Sequence, residues 1–88
     1  MLVIVTRQFE KDVIKELNKT LQIQLAAIVD NLQRATTLQD INHVKKLSGY
    51  SNAYRIRLGD FRIGFIVENN TVKLSRVMNR KDIYRYFP

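Results

Sequence analysis

Hydrophobic and basic residues alternate between positions 54 and 65, and only the Gly59-Asp60 pair interrupts the alternation. Period-two alternation is typical of a β-strand, and a Gly-Asp pair between two such runs predicts a two-residue hairpin loop. One face of this hairpin is apolar, and the other carries three arginines, Arg55, Arg57 and Arg62. The stretch therefore predicts two paired strands with a basic face.

The basic face brings like charges together, because the hairpin register places Arg57 opposite Arg62 and Arg55 opposite Gly64. Like charges directly opposite each other destabilise a strand pair by up to about 1 kcal/mol. Two interpretations are open: a solvated face that is merely basic, or a face that binds an anion. Gly64 favours the second, since it leaves bare backbone beside Arg55 that a ligand could approach closely.

The chain before the hairpin predicts one strand and two helices. The β-branched run Leu2–Val5 predicts a strand buried on both faces. Apolar residues at helical spacing predict amphipathic helices over about 7–18 and about 21–35, with Thr6 and Thr20 as their N-caps. The first apolar stripe is predicted to contain four residues, Phe9, Val13, Ile14 and Leu17. A short joint between the helices predicts a helical hairpin laid on one face of the sheet.

The chain after the hairpin predicts one more strand and a short tail. Asn69-Asn70 suits a type I′ turn, after which residues 71–77 return as a strand. A regular register places Arg62 opposite Val77 and leaves Arg76 on the apolar side, from where it must reach solvent at the edge. The last ten residues predict one helical turn or an irregular end.

Composition limits the class of protein. The 88 residues predict a single domain, 1–88, and the absence of cysteine suits a reducing compartment. No apolar run reaches the length of a membrane span and no signal peptide is apparent, so we expect a cytoplasmic protein that does not bind membranes. His43, the only histidine, is interpreted as a structural or surface residue rather than as a catalytic base.

The net charge of +7 lies entirely in the second half of the chain. Residues 1–42 hold five basic and five acidic side chains, whereas residues 43–88 hold ten basic and three acidic ones. Such asymmetry favours a polyanionic partner, with nucleic acid first. Residues 35–53 are rich in turn formers, and there Lys45 and Lys46 are either solvated or in contact with phosphate.

Element order and three motifs resemble the RelE/ParE toxin superfamily, the toxins of bacterial and archaeal toxin–antitoxin pairs. The motifs are Lys46-Leu47-x-Gly49, Tyr54-Arg55-x-Arg57-x-Gly59-Asp60-Phe61-Arg62 and Asn79-Arg80-Lys81-Asp82-Ile83-Tyr84. The resemblance implies an α+β fold, with two N-terminal helices packed on one face of a largely antiparallel four-stranded sheet (β-α-α-β-β-β). It covers essentially the whole chain.

For RelE-type members, the resemblance implies an endoribonuclease that cuts messenger RNA in the ribosomal A site. The catalytic positions of the family fall on Arg55, Arg57, Arg62, Arg80 and Tyr84. Many RelE-type enzymes carry lysine where this chain has Arg55 and Arg57, and arginine cannot serve as a base because it does not lose its proton in proteins. The resemblance therefore leaves Tyr84 as the candidate base, unless it merely packs the tail against the core.

The expected reaction is attack of the RNA's own 2′-hydroxyl on the adjacent phosphate, which gives a 2′,3′-cyclic phosphate and needs no metal and no cofactor. The residues expected to contact RNA are Lys45, Lys46, Arg55, Arg57, Lys73, Lys81 and Arg85. The resemblance also implies an antitoxin partner whose acidic, amphipathic segment covers the basic face.

Two other functions remain alternatives. A ParE-type toxin shares the fold but inhibits DNA gyrase, and it has no need of Arg80 and Tyr84 beside the sheet arginines. A non-catalytic RNA-binding module would need aromatic residues on the basic face for base stacking, but the pattern places Tyr54, Phe61 and Phe65 on the core face.

Overall fold

The computed structural model describes all 88 residues, Met1 to Pro88, as a five-stranded sheet with three α-helices. The elements are β1 (Leu2–Val5), α1 (Arg7–Glu16), α2 (Lys19–Arg34), a 3₁₀ turn (Leu38–Asp40), β2 (Val44–Lys46), β3 (Ala53–Leu58), β4 (Phe61–Glu68), β5 (Thr71–Asn79) and α3 (Ile83–Tyr86). The strand order is β1-β5-β4-β3-β2, with β1 parallel to β5 and every other pair antiparallel. The predicted α+β class is confirmed, and the short β2 is a fifth strand that the sequence did not predict.

Side-chain caps determine where the two long helices begin. The Thr6 hydroxyl accepts a hydrogen bond from the Phe9 N–H at 3.0 Å, which confirms the predicted N-cap of α1. For α2, the prediction of Thr20 is wrong: the cap is Asn18, whose Oδ1 accepts from the Leu21 N–H at 2.9 Å. Asparagine caps a helix at least as well as threonine, so the helix begins two residues earlier.

The main core lies between the helices and one face of the sheet. Its buried residues are Phe9, Leu17, Leu25, Leu32, Ile56, Leu58, Ile63, Phe65, Val72, Leu74 and Val77. Ile14 was predicted to join this core but is 81% exposed. The reason is that α1 packs beside β5, where it buries Asp12 instead.

β1 is an edge strand, so the prediction of a strand buried on both faces is wrong. It pairs only with β5, and of its side chains only Val3 packs against the core. Leu2, Ile4 and Val5 are exposed. A β-branched run cannot by itself distinguish a central strand from the edge strand of a sheet.

A bulge in β5 changes the predicted register at one point. The predicted pairs Phe65–Leu74, Ile66–Lys73 and Val67–Val72 are confirmed, and Asn69 and Asn70 both have positive φ, at 52° and 58°. Beyond them the register shifts between Gly64 and Phe65, so that Gly64 pairs with Arg76 and Arg62 pairs with Met78.

Because of the bulge, two predictions are wrong. Arg62 does not lie opposite Val77, and Arg76 does not lie on the apolar face. One extra residue in a strand reverses which face the following side chains occupy, because side chains alternate between faces. Arg76 therefore shares a face with Gly64.

The C-terminal segment packs on the face of the sheet opposite the two long helices. Its helical turn α3 was predicted as one of two alternatives, and Ile83 and Phe87 are buried there against Ala53. A Cβ atom on Gly64 would lie 2.5 Å from the Phe87 ring. The prediction that Gly64 offers open backbone to a ligand is therefore wrong, because the Phe87 ring already occupies that space.

Candidate active site

The β3–β4 hairpin presents the three predicted arginines on one face. The predicted register is confirmed, with Arg57 opposite Arg62 and Arg55 opposite Gly64. Directly opposed residues of an antiparallel pair have Cβ atoms about 5 Å apart, so the charges of Arg57 and Arg62 are close neighbours. Positive φ at Gly59, 57°, permits the tight turn that holds this pair.

The C-terminal segment brings the other two predicted residues to the hairpin. The backbone N–H of Arg80 donates to the Asp60 carbonyl at 2.8 Å, which joins the end of β5 to the hairpin turn. Tyr84 lies in α3 and is 55% exposed, while Ile83 beneath it is buried. We call Arg55, Arg57, Arg62 and Arg80 the basic cluster.

Electrostatic coupling joins these residues at Arg62. Burial lowers the pKa of the Arg62 guanidinium, and the positive charges of Arg55, Arg57 and Arg80 lower that pKa further. Tyr84 acts in the opposite direction and raises the pKa of Arg62. All five predicted catalytic residues therefore lie within one electrostatic neighbourhood.

No carboxylate neutralises the basic cluster. The salt bridges of the protein join Arg34 to Asp30 and Arg76 to Asp12, both outside the cluster. The Nη1 group of Arg62 donates instead to the carbonyl oxygens of Gly59 and Phe61, both at 2.8 Å. These bonds fold Arg62 over the hairpin turn, and the cluster retains N–H groups that can bind an anion.

The residues predicted to contact RNA do not all lie on one face of the sheet or close to the basic cluster. Lys45 pairs with Arg55 in the β2–β3 ladder and so shares the face of the basic cluster. Lys46 pairs with Tyr54 and points to the opposite face. Lys73 pairs with Ile66, four residues along β4 from Arg62, which is a distance of about 13 Å.

The two remaining candidates belong to the C-terminal segment. Lys81 is exposed in the turn that follows Arg80, and its N–H donates to Asn79 Oδ1 at 2.9 Å. Arg85 is exposed on the side of α3 opposite the buried Ile83 and Phe87. Of the seven candidates, Arg55 and Arg57 adjoin Arg62, Lys45 adjoins Arg55, and Lys81 follows Arg80, whereas Lys46, Lys73 and Arg85 point or lie away from Arg62.

An ion pair between the buried Asp12 and the half-buried Arg76, which the sequence did not predict, holds α1 to β5. Arg76 donates to both carboxylate oxygens of Asp12, at 2.7 and 3.2 Å, and the Val77 N–H donates to Asp12 Oδ2 at 3.1 Å. Burial raises the pKa of Asp12, but the hydrogen bonds from Arg76, Gln8 and Val77 outweigh it and hold the pKa below its usual value. One feature of the sequence pointed to such a partner: Arg76 was predicted on the apolar face, where a charged side chain needs one.

Two exposed tyrosines, Tyr50 and Tyr84, meet beside the C-terminal segment, and the predicted placement of Tyr54, Phe61 and Phe65 on the core face is confirmed. Tyr50 and Tyr84 line a groove of about 320 Å³ between α3 and the β2–β3 loop. The sequence places Tyr50 in a turn-rich segment and gives no signal of this neighbourhood. His43 is exposed, with φ of 66°, in agreement with the surface interpretation.

Comparison with known proteins identifies the family. Residues 3–84 match the family model described as the ParE toxin of the type II toxin–antitoxin system, parDE. The chain is 38% identical to Toxin RelE3 of Methanocaldococcus jannaschii, with both chains covered completely.

Solved structures agree with this assignment. The chain resembles the RelB–RelE antitoxin–toxin complex from Methanococcus jannaschii, with a TM-score of 0.81, 35% identity and 100% of both chains covered. The archaeal RelE–RelB complex from Pyrococcus horikoshii OT3 shares the fold, with a TM-score of 0.72, 24% identity and 93% and 97% covered. None of the helices has the length and hydropathy needed to cross a membrane. From sequence and fold together, the chain belongs to the RelE/ParE superfamily of toxins of type II toxin–antitoxin systems.

Proposed function

We propose that this toxin is a ribosome-dependent endoribonuclease that inhibits translation by cutting messenger RNA in the ribosomal A site. The observation that carries the proposal is the convergence of four arginines and a tyrosine with no carboxylate to neutralise them. Such a cluster is destabilising unless an anion completes it, and a phosphodiester supplies that charge.

Binding of the scissile phosphate is assigned to Arg55 and Arg57. Their side chains alternate with core residues along β3 and so project from the same face, beside Arg62. A guanidinium can donate two parallel hydrogen bonds to phosphate oxygens, which orients the phosphate as well as attracting it. Lys45, opposite Arg55, extends the positive face along the RNA strand.

The chemical step is an internal transfer within the RNA. The phenolate form of Tyr84 accepts the proton of the 2′-hydroxyl, and the 2′-oxygen forms a bond to phosphorus as the bond to the 5′-oxygen breaks. Arg62 stabilises the charge of the phosphorane, and Arg80 stabilises the leaving 5′-oxygen, which takes up a proton through solvent as Tyr84 gives up the proton that it accepted. The products are a 2′,3′-cyclic phosphate and a 5′-hydroxyl, and all atoms come from the RNA.

The proposed protein partner is an antitoxin with an acidic, amphipathic segment. Two of the structural relatives are complexes with RelB, and the basic cluster of this chain has no internal counter-charge. An acidic segment laid on the cluster would neutralise it and exclude RNA. The antitoxin thereby competes with the phosphate backbone for the same arginines.

The test is primer extension on a messenger during cell-free translation. The wild type is expected to produce new 3′ ends inside ribosome-occupied codons, and blocking translation before A-site entry should abolish them. Tyr84→Phe and Arg80→Ala are expected to remove these ends while the circular dichroism spectrum is unchanged. Arg34→Ala is the matched control, because Arg34 belongs to an exposed pair on α2 and should leave cleavage intact. Cleavage at wild-type level in either active-site variant contradicts the assignment.

A second candidate is inhibition of DNA gyrase, because the matching family model is that of ParE toxins. A gyrase inhibitor would leave the message intact and reduce supercoiling of a relaxed plasmid. Under that outcome the basic cluster serves in antitoxin binding alone. Running both assays on one protein preparation decides between the two functions.

A further inference from the structure

An aromatic groove borders the basic cluster on the side of the β2–β3 loop. It has a volume of about 320 Å³ and is lined by Leu47, Ser48, Tyr50, Tyr84, Phe87 and Pro88. Tyr50 is 51% exposed and Tyr84 55% exposed, so both rings can be reached from solvent. Phe87 is buried and forms part of the apolar base of the groove.

The groove and the basic cluster meet at Tyr84. That side chain lines the groove and also lies within electrostatic reach of Arg62. On the other side, Lys45 of β2 faces Arg55 and precedes Leu47 of the groove by two residues. An apolar, aromatic surface therefore adjoins a site built for phosphate. A single nucleotide has the matching parts, a base with an apolar face and a charged phosphate.

The loop that carries Tyr50 is held in place before any ligand binds. The Leu47 N–H donates to the Ala53 carbonyl at 2.8 Å and closes the loop at its base. The Val67 N–H donates to the Asn52 carbonyl at 3.0 Å and ties the loop to β4. Because the loop is already ordered, binding pays a smaller entropic cost for fixing it.

We propose that this groove binds an unpaired nucleobase of the RNA next to the phosphate held by the basic cluster, and that Tyr50 is a base-stacking residue. The inference rests on the proposed nuclease function and adds to it a residue outside the five catalytic positions. Bases of single-stranded RNA stack on exposed aromatic rings, and loss of one such ring weakens binding about 5- to 150-fold. Stacking tolerates all four bases, so Tyr50 supplies affinity rather than sequence choice.

The test uses ribosomes programmed with a message that carries 2-aminopurine in the A-site codon and a 2′-O-methyl group that blocks cleavage. The wild type is expected to bind and to quench 2-aminopurine fluorescence by stacking. Tyr50→Ala is expected to lose the quenching and to bind about 5- to 150-fold more weakly, whereas Tyr50→Phe keeps both. The exposed position of Tyr50 makes the alanine variant fold normally.

Salt dependence separates stacking from charge. The loss in Tyr50→Ala should be the same factor at about 50 and about 200 mM salt, because stacking releases no counterions. The loss in Arg55→Ala should shrink as salt rises. Two outcomes would overturn the groove assignment while the proposed function stands. One is binding by the wild type without quenching, and the other is quenching and affinity in Tyr50→Ala equal to those of the wild type. Failure of the wild type to bind programmed ribosomes overturns the proposed function, and the groove assignment with it.

Discussion

Gly64→Ala tests how the C-terminal segment is held on the sheet. A Cβ at this position would lie 2.5, 2.6 and 2.8 Å from three atoms of the Phe87 ring. Contacts this short cannot persist, so the ring must leave its place. Backbone strain is not involved, because Gly64 lies within β4 and does not have positive φ.

The magnitude follows from what Phe87 loses. The side chain is 4% exposed, and full burial of a phenylalanine stabilises a protein by about 1.5–3 kcal/mol. Displacing the ring should therefore lower the free energy of unfolding by about 2 kcal/mol, and Tm by about 10 °C in a domain of this size. Because α3 carries Tyr84, RNA cleavage under the proposed function should fall as well.

Urea unfolding of four proteins measures the effect: wild type, Gly64→Ala, Phe87→Ala and the double variant. Without the ring, the three short contacts are removed, and replacing glycine by alanine in a strand should stabilise the protein by about 0.4–1 kcal/mol. The same substitution thus changes sign between the two backgrounds. An equal loss of stability in both backgrounds would refute the reasoning, since the contact with Phe87 would then not be the cause.

Three further substitutions test other contacts. Asp12→Asn should lower the free energy of unfolding by roughly 3 kcal/mol at neutral pH, because it removes the buried carboxylate that pairs with the half-buried Arg76. The pKa of Asp12 is lowered in the folded state, so the gap to wild type should close as the pH falls below about 3.9, and a gap that stays constant in acid contradicts the ion-pair explanation. Arg57→Gln should raise thermal stability by up to about 1 kcal/mol, because it removes the like charge opposite Arg62, and calorimetry that finds no gain argues against this repulsion. Asn18→Ala should cost about 1 kcal/mol in urea unfolding through loss of the α2 cap, and an unchanged midpoint would exclude that role.

Local patterns in the sequence determined the hairpins and the faces of their strands. Strict alternation on both sides of Gly59-Asp60 has only one register with a two-residue loop, and the structure has that register. Asn69-Asn70 likewise set the pairs near the second turn. These predictions succeed because turn geometry and side-chain alternation act over a few residues.

The candidate site was only partly accessible from the sequence. Arg55, Arg57 and Arg62 follow from the hairpin register alone. Arg80 and Tyr84 could be placed beside them only through family resemblance, because their position depends on how the segment after β5 folds back over the sheet. Tyr50 was missed, since a turn-rich loop carries no periodic signal.

Tertiary packing decided the features for which the sequence was misread. A single extra residue at Ser75 moved Arg76 to the face of Gly64, and from there its guanidinium reaches Asp12 of α1, which also accepts the Val77 N–H of β5. The bare position at Gly64 was filled by Phe87, from a segment more than twenty residues away in the chain. Hydrophobic periodicity shows which side of an element is apolar, but only the packed structure shows which neighbour covers it. For this protein, alternation and turns determine the basic face, and long-range packing determines what surrounds it.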